Sequence, residues 1–217
     1  VPGFPPFNIV MATGRTIDLE ALTRAELAMS AVEPEHRVSA RACVEDVVGP
    51  WALERGYGSA DRAPALVLEG ASFAACVSSA DLSRARRVLP SEVATFSDTA
   101  AGVFGLPADR IRVLTPPSLA EDPRSSLRAA VLDDRIVGTA QSWTDGDAIG
   151  VFNVAVLDEL RGRGIGSALT AAVVADGAAE GATWAYLQSS DEGLSVYQRL
   201  GFEVVDEWCS WMPDPSG

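Results

Sequence analysis

The sequence predicts an α/β protein in which a mixed, mostly antiparallel twisted sheet is flanked by helices, with a smaller α/β lobe near the N-terminus. Three observations support this fold class. Residues 127–156 contain apolar runs separated by short polar turns, which is typical of an antiparallel meander. A glycine-rich turn and an alanine-rich amphipathic segment follow, and apolar and helical runs then alternate to residue 212. The first 70 to 80 residues form a distinct segment with their own strand-like and helical patterns.

We therefore expect a small lobe at residues 1–80 and a larger domain at residues 81–217. In the larger domain, Asp133 and Asp134 form a tight turn between two strands, and the helix that starts at Ile165 ends at Gly177 or Gly181. The other elements predicted there are strands at 84–89, 127–132, 135–143, 148–156, 183–188 and 202–212 and helices at 91–104 and 192–200.

The small lobe is predicted to contain strands at 7–11 and 65–68 and helical runs at 18–31 and 39–53. Residues 54–57 and the strand that follows them echo residues 199–202 and their following strand. Either a degenerate partial repeat or coincidence explains so short a match.

Composition excludes several classes of function. The three cysteines, Cys43, Cys76 and Cys209, are far apart and lack any C-x-x-C spacing, so neither a disulfide framework nor a zinc site is expected. The single histidine, His36, lies in a polar segment, and we expect it at the surface rather than on a metal. No metal site is therefore predicted.

Charge and hydropathy restrict the classes of partner that we expect. Charged residues interrupt the apolar runs well before about 18 residues, and the first six residues lack the pattern of a leader, so a cytoplasmic protein without a membrane partner is expected. The formal charge of −13 disfavours nucleic acid and favours a small amine or a basic peptide.

The strongest local signal is the turn from Arg161 to Gly166, which contains three alternating glycines and two arginines. Glycines let the main chain approach an anion closely, and the helix that follows directs the positive end of its dipole toward the same place. The turn is therefore predicted to hold phosphate.

The spacing separates this turn from two common nucleotide-binding loops. In a dinucleotide fingerprint the third glycine would stand at position 167, but it comes one residue early and Ser167 takes that place. A P-loop would require a Lys followed by Ser or Thr, and none closes this turn.

The order of these segments resembles the GCN5-related N-acetyltransferase superfamily over residues 84–217. The family's loop pattern is Gln or Arg, two residues, Gly, one residue, then Gly or Ala, which Arg161, Gly164 and Gly166 match. A later element ending in Tyr-x-x-x-Gly-Phe is matched by Tyr197 and residues 201–202. The resemblance implies the acyl-CoA N-acyltransferase fold and acetyl-CoA as cosubstrate, with no metal.

The resemblance also implies roles for individual residues. The strand before the loop would bind the acyl carbonyl and the pantetheine arm, the loop amides would hold the pyrophosphate, and Tyr197 would protonate the departing thiolate. The residues expected to bind the cofactor are Val154, Ala155, Val156, Arg161, Gly162, Arg163, Gly164, Ile165, Gly166, Ser167 and Ser190.

The sequence departs from the family pattern at two positions. Ser190 stands where many relatives have Asn, and Asp158 replaces a usual proline. The base that would deprotonate the acceptor stays open; the alternatives are water alone or one of four acidic residues, Asp145, Asp147, Glu92 and Asp98.

The resemblance favours an acyltransferase that moves an acetyl group from acetyl-CoA to a primary amine by direct attack in a ternary complex. Two alternatives remain: a catalytically silent module that binds acyl-CoA, and an O-acyltransferase or a user of longer acyl chains. The acceptor and the oligomeric state are not determined, and a homodimer is among the possibilities.

Overall fold

The computed structural model describes residues 8–214, and these form two compact units. One unit combines the chain up to Ala65 with the segment from Val204 onward, and the other is Leu66–Glu203. Every residue expected to bind a cofactor or to take part in catalysis lies in the second unit. Because a compact unit is not by itself a domain in the evolutionary sense, the division at residue 80 stays a prediction.

The described chain contains both strands and helices throughout. In order they are β1 (Ile9–Ala12), α1 (Leu19–Ser30), β2 (Arg37–Arg41), α2 (Glu45–Leu53), β3 (Asp61–Leu68), α3 (Gly70–Ser78), β4 (Arg86–Arg87), α4 (Val93–Phe104), α5 (Ala108–Leu114), β5 (Ser125–Leu132), β6 (Arg135–Asp145), β7 (Ala148–Val156), α6 (Ile165–Ala179), β8 (Trp184–Gln188), α7 (Asp191–Arg199) and β9 (Glu203–Trp211).

In the first unit, β1 pairs in parallel with β2, and β2 pairs antiparallel with β9. The strand predicted at 7–11 corresponds to β1, although Phe7 lies outside the described residues. The single helix predicted at 39–53 is wrong in its first part, since β2 runs to Arg41 and α2 begins at Glu45. Pairing of Val38 with Trp211 and of Ala40 with Cys209 overrides the local helical pattern.

His36 is buried in the first unit, with 2% of its surface exposed, so the expected surface position is wrong. Its Nδ1 lies 2.9 Å from the carbonyl oxygen of Glu33, and its Nε2 lies 2.7 Å from the hydroxyl of Tyr57. A histidine can be buried when both of its ring nitrogens have hydrogen-bond partners, and the sequence alone does not reveal those partners.

The sheet of the second unit contains β4, β5, β6, β7 and β8 in that spatial order. The first three pairings are antiparallel, and β7 and β8 are parallel, which confirms the mixed, mostly antiparallel sheet. In the turn between β5 and β6, Asp133 and Asp134 both have positive φ, as a tight hairpin requires. The strand predicted at 84–89 is reduced to β4, because residues 82–84 form a turn of 3₁₀-helix.

Helices cover both faces of this sheet. On β5, Leu127 belongs to a buried cluster with Phe96 of α4, whereas Arg128 reaches Asp176 of α6. Because successive residues of a strand point to opposite faces, α4 and α6 lie on opposite faces of the sheet. The predicted arrangement of a sheet flanked by helices is therefore confirmed.

Candidate active site

The predicted phosphate-binding turn connects β7 to α6. After β7, residues 158–160 form a turn of 3₁₀-helix, and α6 begins at Ile165. Gly162 and Gly164 have φ values of +74° and +76°, a left-handed conformation that strains residues carrying a Cβ. These two glycines are therefore required by the path of the main chain.

The turn presents a row of unpaired amide groups. The first main-chain bond at the start of α6 runs from Ala168 N to Gly164 O at 3.0 Å. Among residues 8–214, none of the six amides from Gly162 to Ser167 has an acceptor. Unpaired N–H groups and the positive end of the helix dipole together make an anion site.

The strand before the turn has one open edge. Pairing of β7 with β8 is restricted to three residues, ending at Gly150 and Tyr186, although both strands continue. Leu157 N donates to Val137 O on β6 at 3.0 Å, and amides alternate in direction along a strand. The amides of Val156 and Val154 therefore face the gap where β7 and β8 diverge.

A cleft of about 640 Å³ joins this gap to the turn. Its volume lies within the usual range for small-molecule sites. Of the residues expected to bind a cofactor, all but Arg163 line the cleft: Val154, Ala155, Val156, Arg161, Gly162, Gly164, Ile165, Gly166, Ser167 and Ser190. An open strand edge followed by six free amides fits a ligand with an amide-containing arm and a phosphate group, which is the chemistry of coenzyme A.

Tyr197 also lines the cleft and belongs to α7. Its ring packs edge-on against Phe202, with the centroids 5.9 Å apart, and only 9% of the residue is exposed. Burial raises the pKa of the phenol to about 12, because the low-dielectric surroundings disfavour the phenolate. The hydroxyl has no hydrogen-bond partner among the described residues, so it is free to donate to a ligand.

Arg161 and Ser190, besides lining the cleft, interact with other residues of the chain. The guanidinium of Arg161 pairs with Asp158 at 2.8 Å and with Glu192 at 3.0 Å, so part of its charge is already neutralised. The hydroxyl of Ser190 accepts from Gly193 N at 3.3 Å and caps the start of α7. Ser190 thus helps to position the helix that carries Tyr197.

Two contributions to the site were not predicted from the sequence. Arg84 donates to the carbonyl oxygen of Arg163, far along the chain, and no local pattern signals such a contact. Val103 and Phe104, at the end of α4, line the cleft. The apolar period of α4 predicts its helical form but not which residue reaches the cleft.

The four acidic candidates for a general base do not line the cleft. Glu92 receives two hydrogen bonds from Arg86, which together with the amide of Leu89 lower its pKa to about 2. Asp98 is paired with Arg112. Asp145 and Asp147 lie where β6 ends and β7 begins, at the opposite end of β7 from Val154 and Val156.

Neither a cluster of metal ligands nor a membrane-spanning helix is present in the described part of the chain. No group of three or more His, Cys, Asp or Glu residues between Asn8 and Asp214 is arranged to hold a metal ion. In the same part of the chain, no helix is both long and apolar enough to cross a membrane.

The family model described as the acetyltransferase (GNAT) domain matches residues 123–204, which include β5 to α7 and the whole turn. The [ribosomal protein bS18]-alanine N-acetyltransferase of Haemophilus influenzae is 29% identical over 87 residues. That match covers 39% of this chain and 60% of the relative. The chain therefore spans less than two thirds of the length of this curated relative.

Solved structures are similar over most of the chain. A GCN5-related N-acetyltransferase from Sphaerobacter thermophilus has a TM-score of 0.62 at 18% identity, with 88% of this chain and 64% of that chain covered. One from Kribbella flavida has a TM-score of 0.62 at 21% identity, with 92% and 74% covered. At these identities the similarity shows a shared fold.

Proposed function

Because the chain belongs to the GCN5-related N-acetyltransferase superfamily, we propose that it transfers an acetyl group from acetyl-CoA to a primary amine by direct attack in a ternary complex. The observation that carries this proposal is the continuity of the cleft: the open edge of β7, five of the six residues with free amides in the turn and Tyr197 all border one space. We assign this activity to residues 81–217, with residues 1–80 as an accessory lobe, and expect it in the cytoplasm.

Acetyl-CoA would supply the acetyl group already activated as a thioester. The amides from Gly162 to Ser167 would hold its pyrophosphate, and the main chain of Val154 and Val156 would align its amide-containing arm as an added strand would. Because these groups are fixed before the ligand arrives, the thioester is oriented with little further ordering of the protein.

Tyr197 would act as the general acid. When the amine nitrogen forms its bond to the acetyl carbon and the carbon–sulfur bond breaks, the sulfur needs a proton and the nitrogen must lose one. A phenol whose pKa is about 12 stays protonated at neutral pH and can donate to that sulfur. The amine proton would leave through water, because the four acidic candidates lie outside the cleft and Glu192, which lines it, is paired with Arg161.

The acceptor class is proposed more coarsely. The relative from Haemophilus influenzae is named for an alanine of a ribosomal protein, which makes a peptide amine one candidate. The formal charge of −13 favours a cationic acceptor, either a small amine or a basic peptide.

A catalytically silent acyl-CoA-binding module is the second candidate. Two measurements separate the alternatives. Thermal unfolding with CoA and with acetyl-CoA tests the donor site, since a ligand at about 100 times its dissociation constant stabilises the folded state by roughly 2.7 kcal/mol. No shift with either ligand would refute the donor assignment.

The second measurement is thiol release from acetyl-CoA in the presence of a panel of amines, alcohols and basic peptides. Steady release with an amine supports the transferase, whereas stabilisation by CoA without release supports the silent module. Tyr197→Phe should lower the rate by about 100-fold, the usual contribution of a general acid, and should leave CoA stabilisation unchanged. An unchanged rate at pH 7 and pH 9 would exclude Tyr197 as the acid.

A further inference from the structure

The sheet face opposite α6 carries an unusual set of side chains beside the cleft. Gln141 of β6 and Phe152 of β7 are register partners and therefore share a face. The adjacent residue Ser142 points the other way, because its hydroxyl contacts Val173 O of α6 at 3.3 Å. On β8, Tyr186 alternates with buried residues of the α6 side and also lies on the face of Gln141.

Phe152 and Tyr186 form a small aromatic surface, which we call the aromatic shelf. They are 45% and 43% exposed, which is high for rings on the inner strands of a sheet. A Cβ placed on Gly150 would lie 2.7 Å from Phe152 Cζ and 2.9 Å from the Tyr186 hydroxyl oxygen, so both side chains converge over this glycine. Adjacent exposed rings favour a ligand with a flat apolar group.

A pair of amide side chains adjoins the shelf. Asn153 has φ of +51° and lies where the register between β6 and β7 shifts, and its carbonyl oxygen accepts from the Thr139 hydroxyl at 2.9 Å. Its Nδ2 donates to Gln141 Oε1 at 2.8 Å. Asn153 Oδ1 and Gln141 Nε2 have no hydrogen-bond partner among the described residues. Neither atom is buried, so both can form a hydrogen bond to a ligand.

These features adjoin the proposed donor site. Phe152, Asn153 and Val154 are consecutive residues of β7. The main chain of Val154 faces the gap between β7 and β8, so the shelf and the amide pair lie next to that gap. A bulge that holds a non-glycine residue at positive φ re-aims a side chain at an energetic cost, and such costs concentrate at functional sites. An acceptor on this face would reach the gap beside Asn153.

We propose that the amide pair and the aromatic shelf form the acceptor subsite, which takes a small primary amine bearing an aromatic ring. Asn153 Oδ1 accepts an N–H from the amine, and the ring of the acceptor rests on Phe152 and Tyr186. The charge of −13 and the negative faces of the rings both favour the cationic form of the amine as it arrives, and this ammonium ion loses one proton to water before its nitrogen attacks. This inference rests on the proposed function, because the subsite has a role only where acetyl-CoA occupies the cleft.

The test uses the full chain, acetyl-CoA and two amines that differ in the flatness of one ring, 2-phenylethylamine and 2-cyclohexylethylamine. We expect kcat/KM to be about fivefold higher for the phenyl compound, because the contact between two aromatic rings contributes binding free energy beyond that of the apolar area it buries. Phe152→Leu and Tyr186→Leu should remove this preference by raising KM for the phenyl compound alone. Leu132→Ala, at an exposed apolar residue at the end of β5, is the matched control and should preserve it.

Asn153→Gly keeps the positive φ accessible and removes only the side chain, so a loss of folding is avoided. We expect it to lower kcat for both amines by about fivefold, the worth of one hydrogen bond, while thermal stabilisation by CoA is unchanged. Asn153→Asp, which keeps an oxygen acceptor, should recover part of the rate.

The possible outcomes distinguish a failure of this inference from a failure of the proposed function on which it rests. Equal kcat/KM for the two amines, or turnover of neither while CoA still stabilises the protein, overturns the acceptor subsite and leaves the donor site intact. A preference that survives both Leu variants overturns the shelf. Absence of stabilisation by CoA overturns the proposed function and this inference together.

Discussion

The guanidinium of Arg84 donates a hydrogen bond to the main-chain carbonyl oxygen of Arg163 at 3.0 Å. The same guanidinium lies 3.7 Å from the position that a Cβ on Gly164 would occupy. Arg84 therefore contacts the predicted phosphate-binding turn and places a positive charge beside its unpaired amides. Both effects favour an anion in the turn, the first by ordering the main chain and the second by electrostatic attraction.

Replacement of Arg84 by Ala should weaken binding of CoA. We expect the dissociation constant to rise about fivefold to tenfold, because one charge-assisted contact and one nearby cation are lost. Titration calorimetry at low and high salt measures the change. Arg135→Ala, at an exposed residue at the start of β6, is the control for loss of one positive charge. If both variants bind equally well, Arg84 has no particular role in the turn.

Substitution of Gly164 by Ala should impair the turn directly. A residue with a Cβ at φ of +76° costs about 1–2 kcal/mol, and the change moves amides that would contact phosphate. We expect a lower melting temperature and weaker CoA binding. Gly102→Ala is the matched control, because Gly102 lies inside α4 with open space around it and should gain about 0.5–1 kcal/mol instead. Equal stability of the two variants would contradict the left-handed geometry.

The raised pKa of Tyr197 predicts a loss of stability in alkali. Its folded pKa of about 12 exceeds the value of about 10 in an unfolded chain, so the folded state holds the phenolic proton more tightly. The contribution is fully present below about pH 10 and is lost as the pH rises through about 12, with a total of roughly 2–3 kcal/mol.

Urea unfolding of the wild type and of Tyr197→Phe at pH 8 and pH 11 measures this effect. The variant should lose less stability between the two pH values, because phenylalanine has no proton to release. Burial and Glu26 raise the pKa of Tyr57 in the first unit as well, so Tyr57→Phe should also reduce the loss of stability in alkali. Tyr186→Phe, at a tyrosine that is 43% exposed, is the control. Parallel pH profiles for wild type and Tyr197→Phe would show that the phenol is not buried as described.

A buried ion pair between Arg128 and Asp176 should support the second unit. The two side chains are 7% and 11% exposed, and Arg128 makes two hydrogen bonds to the carboxylate, at 2.6 and 2.7 Å. Burial alone would raise the pKa of Asp176, but hydrogen bonds from Arg128 and Ser126 outweigh it and the pKa is lowered. Arg128→Met leaves that carboxylate without its main partner.

We expect Arg128→Met to reduce the free energy of unfolding by about 3–5 kcal/mol, the usual result of breaking a buried pair. Adding Asp176→Leu should restore part of the loss, since no buried charge then lacks a partner. The exposed pair of Arg112 and Asp98 is the control, and Arg112→Ala should cost at most about 1 kcal/mol. Chemical unfolding of the wild type and these three variants tests the difference; equal losses for Arg128→Met and Arg112→Ala would exclude a special role for burial.

Local patterns predict the part of the site that is local in sequence. Strand β7 and the start of α6 have the predicted bounds, because apolar runs and glycines act on their nearest neighbours. Contacts that form only in the folded sheet could not be predicted from local patterns. Arg84 meets Arg163 across 79 residues, and Asn153 takes its positive φ from a register shift between two strands.

The same limit explains the error in the first unit. Residues 39–41 are compatible with a helix by local propensity, and only their pairing with β9, about 170 residues later, makes them a strand. Which residues lie on which element was therefore mostly predictable, whereas which of them meet across the sheet was not.

The divergence of β7 and β8 gives the protein an edge strand in the interior of a sheet. Unpaired strand edges recruit other extended chains, which is a common start of aggregation. A donor substrate that pairs with Val154 and Val156 would cover this edge for as long as it is bound. The protein should therefore aggregate more slowly during mild heating when CoA is present, by more than the gain in melting temperature explains, so the substrate would also act as a protective ligand for its own enzyme.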